Sequence, residues 1–173
     1  MGFFEKLFCP PQRILLQPEK PVLSTALTQT AIEGILRGTF RAIPVKKIVL
    51  RKNEECLFCD HAVLITEKLR VVGHKRVGHH YSLRIVKGFT YHTSDGGNVS
   101  IRDNIQEYTL GKLYITTKRI VFSAGKRAFQ KPLSSLISYQ VEEDELVLQF
   151  SSDSYVLTLP VPICAEKTLN HLI

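Results

Sequence analysis

From Val45 onward, apolar and polar residues alternate with a period of two, the rhythm of half-buried strands. Val63, Ile65, Leu69 and Val71 fall on one face of an extended stretch, with Glu67 the exception. Tyr81, Leu83 and Ile85 repeat the rhythm, as do Leu113 with Ile115 and Ile120 with Phe122. Leu146, Leu148 and Phe150 follow, then Tyr155, Leu157 and Leu159. Gly73, Gly78, the stretch SDGGN at 94–98, Gly111, Gly125 and EEDE at 142–145 supply turn chemistry between the runs. Short strands, each with a dry and a wet face, predict antiparallel hairpins in a sandwich or small barrel.

The two ends depart from this pattern. Across LSTALTQTAIEGILRG, Leu23, Leu27, Ala31 and Ile35 form a helical stripe, with Ser24 placed to cap it and Gly38 to stop it. This predicts one amphipathic helix over 24–37 within an N-terminal extension, 1–45, ahead of a β-domain at 46–173. At the other end, Pro162 suits a first helical turn, and Ile163, Leu169 and Leu172 would give a short helix its apolar side. Phe3, Phe4, Leu7 and Phe8 would share a side if helical, as an interfacial anchor or a docking stub, before Pro10–Pro11 ends the run.

The stretch GKLYITTKRIVFSAG, followed by KPLSSLISYQVEEDELVLQF, resembles the core of GRAM and pleckstrin-homology-like domains. Gly111, Leu113, Tyr114, Ile115, Thr116, Arg119, Ile120 and Phe122 match the family pattern in order, and the resemblance spans roughly 48–160. The upstream stretches VLRKNEECLFCDHAVLITEK and SLRIVKGFTY also resemble the early segments of bacterial-type members. The implied fold is mainly β (α+β): a pleckstrin-homology-like antiparallel barrel or sandwich with an N-terminal helix and a short C-terminal helix. The implied role is a binding module without catalysis, because this fold hosts lipid, peptide and protein recognition alike.

Charge then narrows the class of partner. The chain of 173 residues carries a formal +7 with a pI near 9.3, which favours anionic partners. Residues 68–94 hold six Lys and Arg and no acid, and 108–141 is a second acid-free window. From these come the candidate anion- or lipid-binding residues Lys75, Arg76, Arg84, Lys87, Lys118, Arg119, Lys126 and Arg127. Arg119, at a family-wide position, has a second reading as the holder of a turn. The expected partner is another protein or an anionic phospholipid surface; self-association through the 24–37 helix is the alternative. Nucleic acid is disfavoured, because no helix-turn-helix, RNA-recognition or zinc-finger pattern is present.

Metal and enzyme readings have less support. Cys56, Cys59 and His61 in CLFCDH have the spacing of half a zinc site, but no second compact pair follows. Small thiols beside Leu57 and Phe58 are more often buried filler than metal ligands. No nucleophile with a base, paired carboxylates or phosphate-cradling loop is recognisable. No cofactor or catalytic residue is therefore expected. Apolar runs such as AVLI at 62–65 are too short to span a bilayer, and Glu5 and Lys6 interrupt any signal-like stretch. A cytoplasmic location is expected, with peripheral attachment to the membrane through the basic surface.

Overall fold

The computed structural model describes residues 18–86 and 89–173, with side chains for 18–68 and 104–173. The Phe-rich stretch at 3–8 and Lys87 lie outside the described residues. The elements are α1 (Gln29–Leu36), β1 (Cys56–Val86), β2 (Phe89–Thr116), β3 (Arg119–Ala124), β4 (Phe129–Pro132), β5 (Leu136–Glu142), β6 (Glu145–Phe150), β7 (Ser154–Thr158) and α2 (Pro162–Leu172). The strands form one antiparallel sheet in the order β4-β3-β2-β1-β7-β6-β5. Strands consecutive in the chain pair with one another except β4 and β5, which lie at opposite edges of the sheet, and β1–β7 pairing joins the two runs. The expected fold class, mainly antiparallel β with a helix towards each end, is the one observed.

Alternation carries the core. Phe58, Ala62 and Leu64 of β1 meet Leu113, Ile115, Ile120 and Phe122 in one buried cluster. Leu146, Leu148 and Phe150 of β6 join from the other run of strands, with Leu157 and Leu159. The burial of each large side chain contributes about 1.5–3 kcal/mol. In β1 the main core therefore lies on the even-numbered face. Val63, fully buried, and Ile65, half-buried, lie on the odd-numbered face singled out above. Glycine placement explains one further detail. A Cβ on Gly111 would sit 2.6 Å from both the Phe122 ring and the Ser123 carbonyl, so this glycine admits a close approach within β2.

The largest departure from the sequence pattern is in strand length. Gly73 and Gly78 lie within β1, and 94–98 within β2. Gly78 pairs with Gly96 and Val77 with Gly97, so these glycines take ladder positions rather than opening turns. β7 pairs with β1 only at Val63–Ile65, and β3 with β2 only at Gly111–Ile115. Beyond these points the two strands run on as a ribbon of roughly twenty residues each, ~65 Å at ~3.3 Å per residue. By contrast, EEDE turns as expected: Glu142 pairs with Glu145, and Glu143 takes φ 49°.

Both helices are shorter or rotated relative to expectation. α1 begins at Gln29 with Thr28 as its cap, not Ser24, because 24–26 are held extended against the buried Asp60. The stop at Gly38 (φ 81°) is as expected. In α2, Cys164, Ala165, Thr168 and Leu169 face the core, while Ile163 is exposed. Ile163 and Leu169 are six positions apart, about 240° around a helix of 3.6 residues per turn, so they cannot share a face.

The described part of the extension packs on the β-domain. Ile35 of α1 joins the main core cluster. Asp60 accepts hydrogen bonds from the Thr25 hydroxyl (2.8 Å) and the Ala26 amide (2.6 Å). Lys20 bridges Asp144 (3.1 Å) and Glu145 (2.8 Å).

Candidate anion-binding site

Between α1 and the sheet, residues 39–53 return as an irregular strap. The Ile43 amide donates to the Cys56 carbonyl (2.7 Å), tying the strap to the start of β1. Val45, Ile48 and Leu50 pack on a second small core made by Cys56, Tyr114 and Val121 on the outer face of the sheet. With those apolar residues turned inward, the polar positions between them face solvent. Arg37, Arg41, Lys46, Lys47, Arg51 and Lys52 are all exposed, and no Asp or Glu occurs between Gly34 and Asn53. Val49 stands among them at 90% exposure. The arrangement is a cationic strip with one apolar tip, anchored from beneath.

A buried ion pair locks the end of the strap. Arg119 Nε donates to Glu54 Oε1 (2.7 Å), its Nη2 to Oε2 (3.1 Å), and Nη2 also to the Val49 carbonyl (2.6 Å). The Arg51 amide (2.6 Å) and the Thr116 hydroxyl (2.7 Å) complete the shell around the carboxylate. Burial alone would raise the Glu54 carboxyl, but the guanidinium and these two donors hold it at about 2. Arg119 thus supports the strap from within and adds nothing to the exposed cationic surface.

The other sequence candidates are dispersed. Lys118 donates to the Lys52 carbonyl (2.6 Å), which places it beside the strip. Lys126 is exposed at the β3–β4 turn. Arg127 pairs with Glu107 (3.3 Å), which Lys68 also contacts (3.0 Å). Glu107 pairs with Thr66 across the ladder, whereas Lys75 and Arg76 pair with Val99 and Asn98, ~30 Å farther along the ribbon. Arg84 pairs with Thr90 near the ribbon's end. The side chains of Lys75, Arg76 and Arg84 lie outside those described, and Lys87 outside the described residues altogether. By backbone register, Lys75 and Arg76 thus lie about nine ladder positions from Glu107, with which Arg127 pairs. The 34–53 window is as free of acids as 68–94 and 108–141, and that shared property is the signal by which the sequence marks it.

Cys56 and Cys59 pack into the outer-face cluster with Tyr114 and Val121. A bulge between Cys56 and Phe58 rotates Cys56 onto the face of Cys59, where plain alternation would separate them. Cys56 is buried and its thiol donates to the Phe58 carbonyl (3.2 Å); burial pushes it up to about 12. Cys59 is raised as well, chiefly by burial. His61 Nδ1 lies 2.9 Å from the Ser24 carbonyl. Among the described residues, no group of three His, Cys, Asp or Glu converges.

Beside the strip, a cleft of about 670 Å³ opens between α1, the strap and the outer face of β1–β2. Leu27, Ala31, Ile43 and Leu57 give it apolar walls, while Arg37, Arg41 and Lys112 bring cations to it. Glu33 is the one acid in the lining, and it lies 3.9 Å from Arg37. Cys59 also lines the cleft. No helix among the described residues is long and apolar enough to cross a membrane. Compared with known proteins, the chain matches no family model, no curated protein and no solved structure.

Proposed function

We propose that this protein is a non-catalytic binding module of the pleckstrin-homology/GRAM-like kind that attaches peripherally to anionic membrane surfaces. The observation that carries the reading is the exposed, acid-free strip of Arg37, Arg41, Lys46, Lys47, Arg51 and Lys52 around Val49. A lysine or arginine near an anionic leaflet contributes about 1 kcal/mol, so three or four in register give a useful but reversible attachment. Val49 can enter the headgroup layer without unfolding anything beneath it. The seven-stranded order with its closing helix, and the residues at 111–122 that resemble the family, support the module part of the reading. The apolar stripe of α1 is turned inward through Ile35, which weighs against assembly through that helix.

Flotation of the full chain with vesicles tests the reading. Binding to phosphatidylserine-containing vesicles that weakens steeply with salt, and none to neutral vesicles, is expected. Equal, salt-insensitive behaviour on both would sink it.

A further inference from the structure

We infer that the cleft beneath α1 is a binding site for a single-chain anionic lipid: one acyl chain ending in a carboxylate or phosphate. Its 670 Å³ lies within the range of small-molecule pockets, about 300–1,000 Å³. The lining divides chemically. Leu27, Ala31, Ile43 and Leu57 offer nothing to a polar ligand, whereas a chain of methylenes would replace water along them at no polar cost. Arg37, Arg41 and Lys112 outnumber the single Glu33, which Arg37 already faces, so the local charge favours an anionic head group over a cationic one. An anionic amphiphile satisfies both halves at once. The walls are also built rather than incidental. α1 is held by Thr28 and by Ile35 in the core, and the strap is fixed by the Ile43–Cys56 backbone bond. This site is separate from attachment to a bilayer surface, although Arg37 and Arg41 border both.

Calorimetric titration of the full chain with laurate, myristate and palmitate, each below its micelle threshold, tests the inference. Saturable binding near one per chain is expected, strengthening about two- to fourfold per added methylene until the cleft is filled. Hexadecanol, with the same tail and no charge, should bind at least tenfold more weakly than palmitate. Palmitate should slow alkylation of Cys59, followed at the peptide level, because that thiol lines the same space. Arg41→Gln with Lys112→Gln should weaken palmitate about tenfold with an unchanged circular dichroism spectrum; both residues are at the cleft, and neither is fully buried. Lysophosphatidate run in parallel assigns the preferred head group, and tighter binding of either acid supports the site. Absence of saturable binding, equal affinity for the alcohol, or unchanged Cys59 alkylation would each overturn it. Vesicle flotation on the same preparation keeps the two readings apart. Flotation without palmitate binding removes the cleft site alone, and palmitate binding without flotation removes surface attachment alone.

Discussion

Arg119→Met is the most informative single perturbation of the fold. The guanidinium makes two bonds to Glu54, at 2.7 and 3.1 Å, and one to the Val49 carbonyl at 2.6 Å. Methionine keeps much of the volume but leaves a fully buried carboxylate with only the Arg51 amide and the Thr116 hydroxyl as donors. Breaking a buried pair from one side costs about 3–5 kcal/mol, a large part of the ~5–15 kcal/mol that holds a domain together. Linkage gives a similar figure. Glu54 falls from 4.5 to about 2, which corresponds to on the order of 3 kcal/mol. Because its folded-state pKa is depressed, that contribution is fully present above pH 4.5 and is lost as pH falls through about 2. Urea titrations followed by far-ultraviolet circular dichroism at several pH values between 2 and 7 measure it. The gap between wild type and Arg119→Met should be several kcal/mol at pH 7 and shrink towards pH 2. Adding Glu54→Gln should recover part of the loss, since the stranded charge is then gone. A gap under about 1 kcal/mol at pH 7, or one independent of pH, would refute the ion pair's role in holding the strap.

Other parts of the structure make their own predictions. Asp60→Ala orphans the Thr25 hydroxyl and the Ala26 amide, at about 1–3 kcal/mol, and hydrogen exchange should speed up across 24–28 before it does in the strands. Exchange unchanged there would mean that Asp60 does not hold the extension. Gly111→Ala drives a methyl to 2.6 Å from the Phe122 ring, so a loss of about 1–3 kcal/mol is expected in denaturant melts; a neutral result would contradict the close approach. Native Cys56, buried and pushed up to about 12, should resist iodoacetamide at pH 8 and react after denaturation. Rapid native labelling at that residue would contradict its burial.

Much of the fold is legible in period and punctuation, and the failures have physical causes. Leu113, Ile115, Ile120 and Phe122 alternate as core residues should, and EEDE turns where its acids cluster. Glycine proved ambiguous: Gly125 stands in a turn, but Gly111 is needed for its missing side chain, and Gly73 and Gly78 lie within a strand. A residue type that permits both roles cannot report which one the tertiary structure uses. The capping error has a nonlocal cause. Ser24 is an adequate cap, but Asp60, thirty-odd positions away, claims the residues next to it. At the candidate site, charge counting found basic windows, yet only the fold distinguishes Arg119, sealed against Glu54, from exposed Lys126. The 39–53 strap escaped because it follows neither period, its apolar residues being spaced by the outer face it covers.

Neutralising the strip in place addresses the central claim most directly. A chain carrying Lys46→Gln, Lys47→Gln, Arg51→Gln and Lys52→Gln should keep its melting behaviour, since all four side chains are exposed. Its partitioning onto phosphatidylserine-containing vesicles at low salt should fall by roughly a hundredfold or more, at about 1 kcal/mol for each base near the surface. Partitioning equal to that of the unaltered protein, with the fold intact, would show that membrane attachment does not run through this strip.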